Sequence, residues 1–102
     1  MFSIQFRTSR KLELDAIQEA ENGNLAEALV VMSKAMTLTP TRASCFNNRA
    51  QIHRFNSDIS AALQDLNEAI QISNGRGRSA CQAFCQRGMY IVHSYQSLIR
   101  KK

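Results

Sequence analysis

Helix-breaking residues are scarce in this chain, with one proline and four glycines among 102 residues. Proline removes a backbone donor and glycine resists ordering, so their scarcity leaves room for uninterrupted helices. No apolar run approaches the eighteen or so residues that a membrane-crossing helix needs. Nor does a charged start lead into a long apolar run, so secretion is not expected. The three cysteines are odd in number and follow no framework spacing, which suits a reducing cytosol better than an oxidising compartment. Histidine is scarce too. Only His53 and His93 are available for acid–base work, and no Gly-x-Ser-x-Gly, His-Glu-x-x-His or phosphate-loop spacing occurs. An enzyme is not expected, and neither is a cofactor.

Acids are the minority charge, 8 against 13 basic residues, for a net +5. That modest excess favours solubility and acidic partners without by itself implying nucleic acid. The first eleven residues hold no acid and carry Arg7, Arg10 and Lys11, a faint likeness to an organellar transit peptide that is too short and too weakly amphipathic to set the location. A cytoplasmic location is the expectation. Arg100, Lys101 and Lys102 close the chain as a basic, solvated end. The length fits one domain.

What the chain does have is a period. Shifted by thirty-four residues, Ala16 falls on Ala50, Ala28 on Ala62 and Ala35 on Ala69, with Leu29 over Leu63 and Leu38 over Ile72. A fixed period in this range marks a stacked repeat protein. Small residues at set places let helices approach, and large apolar residues between them fill the grooves.

The pattern divides the chain. Residues 1–10 read as a flexible arm, in which Phe2, Ile4 and Phe6 alternate with polar residues. From Lys11 a helix carries Leu12, Ala16, Glu19 and Ala20 on one side and stops near Asn22-Gly23. Asn24 with Glu27 forms a capping-box pair for a second helix bearing Leu25, Ala28, Leu29, Met32, Ala35, Met36 and Leu38, closed by Pro40. A third helix over 42–55 turns Phe46, Ala50 and either Ile52 or His53 inward. After Asn56-Ser57-Asp58, a fourth over 59–72 carries Ala62, Leu63, Leu66, Ala69 and Ile70. Short loops make each pair an antiparallel hairpin. Past the longer joint Asn74-Gly75-Arg76-Gly77-Arg78, Ser79 and Gln82 can cap a fifth helix bearing Phe84, Gly88, Met89 and Ile91. The reading is an all-α superhelix of two full repeats (about 11–40 and 42–73) and half of a third (about 79–102).

Leu12, Ala16, Gly23, Ala28, Ala35 and Pro40, then Phe46, Ala50, Ala62, Leu66 and Ala69, resemble the tetratricopeptide repeat consensus. More narrowly, RASCFNNRAQ, ALQDLNEAI and NGRGRSACQAFCQRG resemble the tetratricopeptide repeat protein 36 family, over about Leu12 to Gly88. The acidic amino-terminal extension expected of that family is missing, and so is the second half of the third repeat. The resemblance implies a non-catalytic adaptor or cochaperone-type scaffold. It would bind protein partners on the concave face lined by the first helix of each pair, with a chaperone of the heat-shock 70 class among them. The superfamily's clamp for acidic tails, a set of lysine, asparagine and arginine, maps onto Glu13, Ile17, Asn48, Gln82 and Gln86, and only Asn48 matches. A carboxylate is therefore not expected to be fixed there, because the charge-assisted bonds are gone.

The candidate partner-binding residues are Asn47, Asn48, Gln51, Arg54 and Phe55 along an exposed side of the third helix, with Gln82 and Gln86 on the fifth. Amides that donate and accept suit an extended peptide backbone. Arg49 and Arg87, each just before a small residue, read as structural, with heads paired to acids such as Asp65 or Glu68. The alternative function is RNA or anion binding by the Gly-Arg joint and the basic end, since helix starts present free amides. Two arginines without interleaved aromatics favour a flexible joint instead. Cys81 and Cys85 one turn apart, with His93 beyond, are three groups on one helix and leave a tetrahedral zinc site unfilled. Finally, Met89, Ile91, Val92 and Tyr95 have no following helix to cover them. The expectation is that a second copy, a partner or the bent-back end of the helix does so.

Overall fold

The computed structural model describes residues 2–100, with side chains from Ile4 onward. Met1, Lys101 and Lys102 lie outside the described residues. Five helices follow in order: α1 (Phe2–Glu21), α2 (Leu25–Leu38), α3 (Ala43–Phe55), α4 (Ile59–Ile72) and α5 (Gly77–Arg100). No strand occurs among the described residues. α1 packs chiefly on α2 and α3 chiefly on α4, and α5 rests on α4 and α3. The result is an elongated slab, 55 × 31 × 15 Å.

The alanines of the period are where the helices cross. Ala16, Ala28, Ala35, Ala50, Ala62 and Ala69 are all fully buried. Met32, Met36, Cys45 and Ile52 fill the space around the first hairpin, and Leu66 and Tyr90 do so around the second. Phe46 packs against both clusters and joins the two hairpins. Of the two residues offered for the inner face of α3, Ile52 is buried and His53 only half-buried.

The turns repeat as well. The Asn24 N–H donates to the Glu19 carbonyl around Gly23 at φ +87°. One period later the Asp58 N–H donates to the His53 carbonyl around Ser57 at φ +63°. Both are the six-to-one closure that ends a helix on a left-handed residue. The two caps that follow differ. Asp58 Oδ1 accepts from the Ala61 N–H at 3.2 Å. Asn24 makes no cap bond, because its amide is turned back to Glu19 Oε2 at 2.9 Å; the expected capping box is not formed.

Two boundaries differ from the sequence reading. The stretch expected as an arm is helical from Phe2, and the alternation of Phe2, Ile4 and Phe6 does not produce a strand. Its anchor is Ser9, fully buried, whose hydroxyl donates to the Ala35 carbonyl at 2.9 Å, while the Arg42 guanidinium lies over the Phe6 ring. These tertiary contacts override the local pattern. At the other end α5 starts at Gly77, ahead of the Ser79–Gln82 cap, and runs unbroken for 24 residues, about 36 Å at 1.5 Å per residue.

Candidate amide-lined groove and its polar support

α3 and α5 lie side by side and leave a groove of about 280 Å³ between them, lined by Asn47, Asn48, Gln51, Cys81, Gln82, Cys85 and Gln86. Five of the seven candidate partner-binding residues meet there. Arg54 and Phe55 do not. They line a separate hollow of about 390 Å³ with Ser57, Ile59 and His93 at the end of α3. The Arg54 guanidinium lies between the Phe55 and Tyr90 rings, 5.6 and 5.5 Å from their centroids. Burial raises the Tyr90 hydroxyl above its usual pKa, against the opposing pull of Arg54.

Asn47 was expected on the exposed side of α3 and is instead buried, 3% exposed. The cause is α5, whose first turn packs over it: Asn47 Nδ2 donates to the Ser79 carbonyl at 2.9 Å. Its Oδ1 is enclosed without a partner among the described residues. An enclosed carbonyl oxygen that lacks a donor costs about 1–3 kcal/mol, which the packing of α5 on α3 has to offset. Gln51 and Gln82 stay exposed and free to turn, and Gln86 accepts from the Tyr90 hydroxyl at 2.6 Å.

Asn48 is committed elsewhere. It donates through Nδ2 to Glu13 Oε2 at 2.6 Å, and Glu13 is a fully buried carboxylate on α1. Its other oxygen takes Arg42 Nη2 at 2.7 Å and Arg10 Nη1 at 3.2 Å. Arg42 Nη1 reaches the Ser9 hydroxyl at 3.1 Å and the Cys45 sulfur at 3.7 Å. Burial, with the Glu13 charge adding to it, raises the Cys45 thiol above its usual pKa. The sequence reading treated Glu13 only as a mismatch and missed this network. Its signal was present, in two polar residues, Ser9 and Glu13, at helical spacing from Ala16 on the face that had to be buried. Arg42 and Arg10 are thus taken up by Glu13 and do not line the groove, so they offer no pair to an acidic tail lying in it.

The structural arginine reading of Arg49 holds: Nε and Nη2 grip Asp65 at 2.8 and 2.7 Å, and that bond raises the Arg49 pKa. Arg87 instead donates to Asn67 Oδ1 at 2.8 Å and leaves Glu68 alone. At the Gly-Arg joint the N–H groups of Gly75 and Arg76 close back on the Ile70 and Ser73 carbonyls, and Arg76 and Arg78 are exposed. Among the described residues no group of three metal-ligating side chains comes together. No described helix is long and apolar enough to cross a membrane.

Comparison with known proteins shows the family. The chain is 47% identical over 85 residues to human tetratricopeptide repeat protein 36, covering 83% of this chain and 45% of that protein. Over this stretch the chain belongs to the tetratricopeptide repeat protein 36 family. The zebrafish protein of that name is 48% identical over 82 residues, covering 80% of this chain and 44% of its own. The Drosophila melanogaster homolog is 43% identical over 84 residues, covering 81% and 45%. The chain thus spans under half the length of the curated relatives it matches. No family model and no solved structure matches it.

Proposed function

We propose that this chain is a non-catalytic protein-interaction adaptor that holds an extended segment of a partner protein in the groove between α3 and α5. The observation carrying this reading is the groove itself, about 280 Å³ between two helices, in which the exposed amides of Gln51 and Gln82 are free to turn and to donate or accept. A peptide backbone offers alternating N–H and C=O groups, which match the donor and acceptor of such amides. Membership of the repeat family supports an interaction role, and the partner class it favours is a heat-shock 70 chaperone, acting in the cytoplasm.

The electrostatics bear on how such a chaperone would be held. No charged side chain lines the groove, and Glu13 stands next to it behind Asn48. An acidic terminal tail would gain no charge-assisted bonds there. The contact proposed is therefore with another segment or with a folded chaperone domain. The test is capture of a purified heat-shock 70 chaperone by this chain, with and without an excess of acidic tail peptide. Capture should survive the peptide and fall at least tenfold for Gln51→Ala combined with Gln82→Ala. Both residues are exposed, so the fold should be unaffected. Capture by the doubly substituted chain at parental strength would remove the groove from consideration. Capture abolished by the tail peptide would overturn the exclusion of acidic tails.

A further inference from the structure

The far half of α5 carries an apolar stripe that nothing among the described residues covers. Met89, Ile91, Val92, Tyr95, Leu98 and Ile99 are each more than half exposed. α1 and α3 each have an antiparallel partner along their length, and their small crossing residues, Ala16 and Ala50, are completely buried beneath it. Gly88 follows Arg87 as Ala50 follows Arg49, yet Gly88 is exposed, and a Cβ built on it meets nothing within 4 Å. Its φ is not in the left-handed region, so neither the backbone nor packing within the chain calls for glycine there. Glycine inside a helix costs about 0.5–1 kcal/mol relative to alanine. What it gives is a notch in the stripe, at the edge of a hollow of about 540 Å³ lined in part by Ile59, Phe84, Gly88, Met89 and Val92.

We propose that this stripe is a self-association surface, with α5 of a second copy laid antiparallel across it. Laid about a two-fold axis between Ile91 and Val92, the stripe complements itself. Tyr95 of each copy falls on Gly88 of the other, Phe84 falls on Ile99, and Ile91 falls on Val92. A large side chain enters each notch, and the same contact occurs twice, as a closed two-fold interface requires. Extent suits a weak pair: Phe84, Ile91, Val92, Tyr95, Leu98 and Ile99 together expose roughly 700 Å² per copy, an upper bound on what they can bury, against about 800 Å² buried per partner in a standard stable interface. Charge points the same way, away from an ionic partner, because no aspartate, glutamate, lysine or arginine belongs to the stripe. α5 holds no acid and three arginines, Arg78, Arg87 and Arg100. Two copies repel slightly through these, and salt screens that repulsion.

Analytical ultracentrifugation of the chain across the micromolar range tests this. The expected result is a monomer–dimer equilibrium that tightens as salt is added. Tyr95→Glu should weaken it at least tenfold while helix content by circular dichroism stays at the parental level. Gly88→Leu separates the proposal from simple exposure: it should make the monomer more heat-stable, since nothing in the chain is displaced, and weaken the dimer at least tenfold by filling the notch. Gly88→Leu with Tyr95→Ala should restore association, because the knob is removed with the hole. A parent that stays monomeric throughout, association that loosens with salt, or a Gly88→Leu dimer as tight as the parent would overturn the proposal. Capture by anionic phospholipid vesicles without dimerisation would also overturn it and assign the stripe to a lipid surface.

Discussion

Neutralising Glu13 while keeping its shape asks how much of the fold rests on one buried charge. Glu13→Gln leaves no cavity, so only the charge and the bonding pattern change. Arg42 stays in place, 85% buried at its side chain, and loses its ionic partner at 2.7 Å. Arg10, half exposed, contributes little to the loss, because exposed pairs are worth at most about 1 kcal/mol. Asn48 can flip its amide to offer Oδ1 to the new NH2 group, which recovers that bond. The main cost is then the Arg42 hydrogen bond to a charged acceptor, about 1.5–3 kcal/mol. Urea unfolding followed by circular dichroism, at one fixed chain concentration so that self-association does not enter, measures it. The loss should persist at high salt, because a buried pair is screened far less than a surface one. A double-mutant cycle with Arg42→Met should give a coupling of at least about 1 kcal/mol, within the range for residues sharing a network. Stability within about 0.5 kcal/mol of the parent, as for an ordinary surface change, would refute the assignment of Glu13 as a structural carboxylate.

Ala62→Leu should overfill the α3–α4 crossing and cost about 1–3 kcal/mol; a melting temperature no lower than the parent's would mean that Ala62 is not at a crossing. Ser57→Gly should stabilise by about 1 kcal/mol in the same unfolding assay, since Ser57 holds φ +63° where Gly23 stands one period earlier. Thiol alkylation of the folded chain should show two fast cysteines, Cys81 and Cys85, and one slow one, Cys45, which is buried. The raised Cys45 pKa fixes the sign of its pH dependence: between the unfolded and folded pKa values the native state holds the extra proton, so this contribution to stability falls as pH rises through that window. Cys45→Ser should flatten the alkaline limb of the stability profile.

The helices were legible because burial of a helix face writes itself into the sequence at three-and-four spacing, and the crossings because alanine recurs where two backbones approach. Ile59–Ile72 was read to the residue, since Asp58 caps one end and the polar joint closes the other. The first ten residues were not legible. Ser9 is polar by identity and buried by position, and only its bond to the Ala35 carbonyl, twenty-six residues away, explains a helix there. Asn47 failed for the same reason in reverse: an amide looks solvated until α5 is seen lying on it. Glu13 shows the common cause, since a charge read alone suggests solvent and its compensation is spread over Arg10 on α1, Arg42 just ahead of α3 and Asn48 on α3. Sequence pattern reports the apolar side of packing, and polar satisfaction becomes visible only when distant segments are brought together.

That asymmetry gives the exposed stripe of α5 its weight. At both places where the period put an alanine on the first helix of a hairpin, Ala16 and Ala50, the fold brought a second helix across it and buried it completely. Gly88 follows an arginine as Ala50 does and is smaller still, yet it stands open. Ala50→Leu and Gly88→Leu are thus the same chemical change at matched positions, with opposite expectations for the monomer: loss of stability at the covered site and gain at the open one. Equal losses at both would mean that Gly88 is already covered within a single chain, which would leave no face for a second copy.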